Sequence, residues 1–122
     1  MLRHVKFANL PVNDQDRALA FWRDRVGLTV ATDEAYGDGF RWIELALGEA
    51  QTRIVFVRRP NDAPSEQPDL ILICDNVDES YGTLKAKGVV FTQAPTEAPW
   101  RPGERYALFR DSEGNLVMLG NG

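Results

Sequence analysis

The sequence predicts an α+β fold built from two tandem βαβββ modules, and three observations indicate it. The chain has 122 residues, which is the usual size of one domain and enough to bury a core. Apolar residues alternate at strand spacing in several short runs and recur at helical spacing in two others. The same order of elements then occurs twice, and such an internal repeat predicts two copies of one supersecondary unit.

The first module covers about residues 1–58. Residues 5–12 alternate like a strand, and residues 13–16 (NDQD) offer the short polar side chains that cap helices. The helix that follows is predicted to end near Val26, with Gly27 as its terminating glycine. Its apolar stripe comprises Ala18, Leu19, Phe21, Trp22 and Val26. Three more strands are predicted, beginning at Leu28 and covering residues 40–47 and 52–57.

The second module covers about residues 69–122 and repeats this order. Residues 69–74 predict a strand, residues 75–78 a cap, and Val77, Tyr81 and Leu84 mark the buried side of a helix that Gly88 ends. Three strands follow, from Val89 onward and over residues 105–109 and 116–119. Residues 59–68 contain three prolines and predict an extended connector within one domain of residues 1–122.

A βαβββ module has a single helix, which covers only one face of its sheet. We therefore expect the two modules to form a curved, mostly antiparallel eight-stranded sheet whose inner face surrounds a cavity. Cavities of this kind are the usual binding sites for small molecules. The predicted architecture thus points to a small-molecule ligand.

Composition excludes several other classes of partner. The net charge is −4, and the Lys and Arg residues are dispersed, which argues against nucleic acid. The longest apolar runs are strand-sized and no signal-peptide core opens the chain, so we expect no membrane attachment. The single cysteine, Cys74, lies in an apolar run and is predicted to be a small core residue. A lone cysteine fits a reducing, cytoplasmic setting.

Six short motifs carry a family resemblance. They are LPVND at residues 10–14, ALAFW at 18–22, VGL at 26–28, DNVD at 75–78, KGV at 87–89 and FRDSEGN at 109–115. In this order and spacing they resemble the vicinal oxygen chelate superfamily, which includes glyoxalase I, extradiol dioxygenases, and fosfomycin and bleomycin resistance proteins. In the last motif Ser112 and Glu113 replace the family's Pro and Asp. The resemblance spans nearly the whole chain and implies paired βαβββ modules, commonly in a homodimer.

The resemblance also implies where a metal would be held in metal-dependent members, which place one ligand on each of four strands. These positions correspond to Phe7, Val55, Asp69 and Met118. Only Asp69 offers a hard ligand, and one carboxylate does not hold a divalent ion against water. We therefore expect neither a metal nor another cofactor. The only histidine, His4, lies an odd number of residues from Phe7, so we expect it at the rim or surface.

Strand alternation predicts which side chains face the cavity. Ala8, Leu10, Val12, Leu70, Leu72 and Cys74 should lie under the helices, whereas Ile71 and Ile73 should face inward. The other predicted lining residues are Phe7, Asn9, Trp42, Glu44, Val55, Asp69, Trp100 and Met118. Two interpretations remain open for the first module. Phe7, Trp42 and Glu44 contact a ligand, or the two aromatic rings fill the space and Glu44 pairs with Arg53.

Three functions follow from these residues. We expect metal-independent binding of a small aromatic or cationic molecule, similar to bleomycin-binding proteins. An enzyme of the glyoxalase type, a lyase, isomerase or dioxygenase, is the first alternative. It would use a divalent metal, or Glu44 or Asp69 as a general base. A non-catalytic interaction module is the second, and it requires a cavity filled by the protein's own side chains. The substituted ligand positions favour binding over catalysis.

Overall fold

The computed structural model describes residues 1–35, 37–60 and 63–122. It divides into two compact units, Met1–Asp62 and Ala63–Gly122, and each contains one βαβββ repeat. The predicted α+β class and the tandem modules are confirmed, with the eight strands present as two four-stranded, mostly antiparallel sheets. Two residues of the predicted connector, Asn61 and Asp62, lie outside the described residues.

The first unit contains a sheet with the strand order β1-β4-β3-β2. Its elements are β1 (Phe7–Val12), α1 (Gln15–Leu19) with a π-helical continuation (Ala20–Val26), β2 (Thr29–Glu34), β3 (Trp42–Ala46) and β4 (Arg53–Arg58). Strand β1 runs parallel to β4, whereas β2, β3 and β4 pair antiparallel. The first strand of the unit therefore lies beside the last.

The first helix begins and ends where the sequence predicts, but its second half has a wider turn. The Asp14 carboxylate caps it by accepting a hydrogen bond from the Arg17 amide at 3.0 Å. The residues from Ala20 onward are π-helical, and Gly27 ends the helix with a φ of 93°. Both Phe21 and Trp22 are buried, although they are consecutive. Both residues lie in the π-helical part, which apolar periodicity alone does not distinguish from an ordinary α-helix.

The second unit repeats the topology with the strand order β5-β8-β7-β6. Its elements are β5 (Leu70–Ile73), α2 (Val77–Ala86), β6 (Phe91–Glu97), β7 (Arg105–Arg110) and β8 (Leu116–Gly120). The Asn76 side chain caps α2 by accepting a hydrogen bond from the Glu79 amide at 2.9 Å. Within the described parts of the chain, no helix is long and apolar enough to span a membrane.

The pairing register fixes which residues share a face of each sheet. In the first unit Ala8, Ile54 and Leu45 form one lateral row, and Asn9, Val55 and Glu44 form the next on the opposite face. In the second unit Leu72, Leu119 and Ala107 alternate with Ile71, Met118 and Leu108. The first row of each unit belongs to the face that carries the core residues, namely Leu10, Val12, Ile43, Leu45, Ile54 and Phe56 in one unit and Leu70, Ala107, Phe109, Val117 and Leu119 in the other. The opposite face is called the open face below.

One predicted core residue is less buried than expected. Cys74 is only half-buried because β5 ends at Ile73, one residue earlier than predicted. The backbone amide of Cys74 still bonds to the carbonyl of Gly120 at 2.8 Å. The residue therefore marks the end of the strand rather than the interior of the core.

Two glycines provide a matched test of the backbone. Gly114 has a φ of 83°, and a Cβ there would lie 2.9 Å from Pro64 Cγ, whereas Gly82 in α2 has open space around it. We expect Gly114→Ala to lower the free energy of unfolding by about 1 kcal/mol or more. Gly82→Ala should raise it by about 0.5–1 kcal/mol, because alanine favours helix. Urea denaturation measures both, and an unaffected Gly114→Ala variant would contradict the described turn.

Candidate functional site

Four predicted or neighbouring side chains form a connected cluster on the open face of the first sheet. The rings of Phe7 and Trp42 meet edge to face with centroids 5.7 Å apart. The Trp42 Nε1 donates to Glu44 Oε2 at 2.7 Å, and Arg53 Nη1 donates to Glu44 Oε1 at 2.9 Å. Both carboxylate oxygens of Glu44 thus accept hydrogen bonds from the protein itself. These contacts agree with the interpretation in which Glu44 pairs with Arg53.

The same contacts decide the protonation of Glu44. The hydrogen bond from the Trp42 indole, and next the one from the Arg53 guanidinium, hold the pKa of Glu44 below its ordinary value. A general base works best when its pKa is near the working pH. A carboxylate with a lowered pKa and two engaged oxygens is a weak base, so the geometry is unfavourable to the proposed catalytic role of Glu44.

The remaining predicted residues of the first unit lie near this cluster in different settings. Val55 occupies the open-face row beside Glu44 but is only 2% exposed, whereas Asn9 in the same row is exposed. His4 is exposed and lines a surface hollow of about 570 Å³, whose other walls are Met1, Leu2, Arg3, Lys6, Phe7, Glu44, Gln51 and Arg53. His4 therefore lies at the surface, where the sequence predicts it.

A second hollow, of about 420 Å³, lies on the open face of the second sheet. Its floor is apolar and includes Ile71 and Ile73 of β5 and Met118 of β8, and one wall is formed by Trp100 and Tyr106. The rings of Trp100 and Tyr106 have centroids 4.9 Å apart with planes inclined at 41°. The hollow is completed by Gln67, Pro68, Glu104, Arg105 and Gly120. We call it the second-sheet hollow.

The apolar side chains of this hollow are unusually accessible to solvent. Ile71 is 61% exposed, Ile73 is 62% exposed and Trp100 is 53% exposed. Contiguous exposed apolar groups of this size mark a surface that binds another molecule more often than a surface that faces water alone. The second-sheet hollow is therefore the stronger candidate site.

Local hydrogen bonds hold the walls of the second-sheet hollow in place. The loop that carries Trp100 is closed by the Ala98 amide, which donates to the Glu104 carbonyl at 2.7 Å. On the opposite side Arg110 donates to the Ser65 carbonyl at 2.8 Å and to the Glu66 carboxylate at 3.0 Å. These bonds fix the segment that leads into Pro68. The hollow is thus bordered by tied loops and a sheet.

Two charged residues that line the hollow, Glu104 and Arg105, differ in the hydrogen bonds that their side chains make. Arg105 binds Asp78 through two hydrogen bonds of 2.8 and 2.9 Å, and its pKa is raised chiefly by that contact. Glu104 Oε2 is buried, and no group in the described part of the chain gives it a hydrogen bond. A buried acceptor without a donor is rare in folded proteins.

The predicted lining residues are divided between the two units. Phe7, Asn9, Trp42, Glu44 and Val55 lie on the first sheet, whereas Trp100 and Met118 meet in the second-sheet hollow. Asp69 precedes β5, and its exposed side chain is not among the residues that line this hollow. Tyr106 and Glu104 are absent from the predicted set. Tyr106 is recoverable from its alternation with the buried Ala107, but Glu104 lies in a loop that has no periodic signal.

The sequence as a whole matches a known family model. The match to the Glyoxalase/Bleomycin resistance protein/Dioxygenase superfamily extends over residues 2–119. The chain belongs to this superfamily. The predicted resemblance is thereby confirmed, because the superfamily comprises the glyoxalases, bleomycin resistance proteins and dioxygenases named above.

Individual relatives within the superfamily cover almost the full chain. YetH of Bacillus subtilis strain 168 is 29% identical over 121 residues, which are 98% of each protein. The crystal structure of TnmS3, an antibiotic binding protein from Streptomyces sp. CB03234, is 33% identical with a TM-score of 0.83, covering 97% of this chain and 94% of that one. A superfamily member from Sphaerobacter thermophilus DSM 20745 is 28% identical with a TM-score of 0.84, covering 98% and 97%.

The residues at the positions that the family resemblance assigns to metal ligands do not fit a divalent ion. Phe7 and Val55 have no donor atom, Met118 offers only a thioether, and Asp69 offers one carboxylate. Glu44, the nearest acid on the first sheet, already has both oxygens bonded. Across residues 1–35, 37–60 and 63–122, no three His, Cys, Asp or Glu side chains come close enough to hold an ion. No step of a mechanism can therefore be built on a metal held at these positions.

The satisfied carboxylate of Glu44 predicts a pH-dependent contribution to stability. Because its pKa is lowered on folding, the stabilisation is fully present above the unfolded-state pKa and is lost as the pH falls through the folded-state value. We expect Glu44→Gln to reduce the free energy of unfolding by about 1 kcal/mol at neutral pH. The difference from the wild type should shrink as the pH falls from the unfolded-state pKa through the folded-state one. Urea titrations at neutral and at acidic pH measure it, with the exposed Glu49→Gln as control, and a pH-independent difference would contradict this assignment.

The donor set also predicts the metal content of the purified protein. After incubation with nickel, cobalt, manganese, iron or zinc salts and gel filtration, elemental analysis should find much less than one ion per chain. A stoichiometric ion would show that an unforeseen set coordinates it. His4→Ala, Glu44→Gln and Asp69→Asn variants then identify which of those side chains takes part, and the enzyme interpretation would take first place.

Proposed function

We propose that the protein binds a small aromatic organic molecule in the second-sheet hollow without the help of a metal ion. The observation that carries this proposal is the exposure of Ile71, Ile73 and Trp100 around one hollow. Burying such apolar surface is favourable by about 25 cal/mol per Å². A ligand that covers these side chains gains this free energy. Within the described second unit the three side chains stay largely exposed to solvent.

The size and chemistry of the hollow suit a flat ligand. Its volume of about 420 Å³ falls within the range of about 300–1,000 Å³ that is usual for small-molecule sites. Trp100 and Tyr106 present adjacent ring faces or edges on which an aromatic ligand stacks. Met118 in the floor is unbranched and adapts to ligands of different outline. The site thus combines aromatic rings with an apolar floor that contains one adaptable side chain, Met118.

The comparison with TnmS3 supports this proposal. TnmS3 is an antibiotic binding protein that shares 33% of its sequence with this chain over 97% of the chain's length. We extend binding of a drug-like or metabolic molecule to this chain, with sequestration as the functional consequence. Neither Glu44 nor Asp69, the two acids considered as general bases, is among the residues that line the second-sheet hollow, so the enzyme alternative has neither of its predicted bases there.

The alternative of a purely interacting module is also less favoured. It requires an inner face that is filled by the protein's own side chains. In the first unit Phe7 and Trp42 pack together in this way, but in the second unit Ile71 and Ile73 remain largely exposed.

We retain the homodimer as part of the proposal on the family resemblance alone, and sedimentation velocity tests it. The cytoplasmic setting likewise rests on the single cysteine.

Ligand binding at this site is tested by a screen followed by one substitution. We expect flat polycyclic aromatic compounds, with bleomycin included in the panel, to raise the melting temperature in buffer that contains a metal chelator. Trp100→Ala should weaken the best binder about ten-fold, because it removes a stacking surface. Isothermal titration calorimetry measures both affinities.

A matched control is provided by Val90→Ala, which removes another highly exposed apolar side chain that does not line the second-sheet hollow. Its affinity should equal that of the wild type. Binding that requires added metal, or that is unchanged by Trp100→Ala, would refute the proposed site.

A further inference from the structure

We infer that Glu104 is the polar anchor of the second-sheet hollow and that the ligand carries a protonated nitrogen that pairs with the Glu104 carboxylate. This inference rests on the binding function proposed above and names the chemical class of the ligand. It goes beyond apolar burial, because it assigns a charge and a contact atom to the bound molecule.

The first support is the unsatisfied state of the carboxylate. Glu104 Oε2 is buried, and none of the described residues donates a hydrogen bond to it. Folding removes this oxygen from water without replacing the lost hydrogen bonds, which is costly for any polar group and more so for a charged one. Such a group needs a partner, which an ordered water or a bound ligand can provide. A ligand donor would supply the missing partner.

The cation next to Glu104 in the sequence is already paired with another acid. Arg105 adjoins Glu104 in sequence and lines the same hollow, but its Nε and Nη2 atoms bind the two oxygens of Asp78 at 2.8 and 2.9 Å. This two-point geometry uses the directional donors of the guanidinium. Arg105 therefore gives no hydrogen bond to Glu104 Oε2, which remains open to a donor from a ligand.

The surroundings of Glu104 favour a cation over a neutral donor. Trp100 and Tyr106 line the same hollow, and aromatic faces attract cations through their ring quadrupole. The net charge of the chain is −4, which raises the local concentration of cationic ligands. A flat ligand with an ammonium group would stack on the rings and place its charge at the carboxylate.

Because Glu104 Oε2 is buried, the carboxylate must turn to meet a molecule bound in the hollow. Glu104 forms part of the wall of the hollow, and the terminal torsion of a glutamate is broad, so that its two oxygens exchange by rotation. The loop itself stays closed by the bond from the Ala98 amide to the Glu104 carbonyl. The inference therefore requires rotation of the side-chain carboxylate only, on a loop that this backbone bond closes.

Three naphthalene probes of similar size separate charge, hydrogen bonding and shape. They are 2-naphthylmethylamine, which is protonated at neutral pH, 2-naphthalenemethanol, which is a neutral donor, and 2-(methoxymethyl)naphthalene, which has no donor. We expect the amine to bind the wild-type chain about ten-fold more tightly than the methoxymethyl compound. Isothermal titration calorimetry at low ionic strength measures the three affinities.

Two variants assign the effect to Glu104. Glu104→Gln should weaken the amine about ten-fold and leave the methoxymethyl compound unchanged. Glu97→Gln is the matched control, since it makes the same change of net charge at an exposed acid of β6 that does not line the hollow. The melting temperature of Glu104→Gln should equal or exceed that of the wild type, because no hydrogen bond to Oε2 is lost.

The outcomes separate this inference from the proposed function. If the methoxymethyl probe binds in a Trp100-dependent manner but the amine gains nothing, the binding function stands and the assignment of Glu104 is overturned. An alcohol that binds as tightly as the amine overturns the cationic class, and a Glu104→Gln variant that is destabilised shows a structural role for the carboxylate instead. If none of the probes binds, both proposals are refuted.

Discussion

Each unit of this protein has one helical segment for a four-stranded sheet, and this shortage of cover governs the rest of the structure. The period of two along every strand sends alternate side chains to opposite faces, so one face joins the core while the other has no helix of its own unit to bury it. Apolar residues on the second face must be covered in some other way. The two units differ in how these residues are covered, although they share the same strand order.

In the first unit the side chains of the open face contact and hydrogen-bond one another, and in the second unit several of them do not. On the first sheet Phe7 packs on Trp42, and Glu44 accepts bonds from Trp42 and Arg53. On the second unit Glu104 Oε2 has no donor from the described chain, while the neighbouring apolar side chains remain exposed. A glutamate therefore stabilises the first unit through Glu44, whereas in the second unit the buried oxygen of Glu104 lacks a hydrogen bond. Polar networks of the first kind specify structure, and isolated groups of the second kind point to a ligand.

The sequence predicts the fold well because its signals are local. Caps, terminating glycines and alternation depend on a few neighbouring residues, and Asp14, Asn76 and Gly27 act in the structure as predicted. The π-helical turn at Phe21 and Trp22 is not predictable in this way, since apolar periodicity over so short a helix does not separate hydrogen bonds that span five residues from those that span four.

The site is less predictable because its signals are tertiary. Alternation places Val55 on the open face, but it does not reveal that this side chain is covered. The importance of Glu104 depends on a hydrogen bond that is missing after the loop has folded. No pattern in the residues around it indicates that absence. Trp100 and Met118 could be predicted as lining residues, because the family resemblance and the strand register indicate their positions.

The position of β1 beside β4 has a consequence for how each unit assembles. Phe7 pairs with Arg53, roughly 46 residues further along the chain, and Leu70 pairs with Val117 at a similar distance. The antiparallel strands β2, β3 and β4 are joined by short connections, so their pairing requires the closure of much smaller loops. Pairing of the first strand is the entropically expensive step, and long-range pairing of this kind slows folding. Each unit therefore leaves the ribosome with its first strand synthesised but without its pairing partner until the last strand emerges.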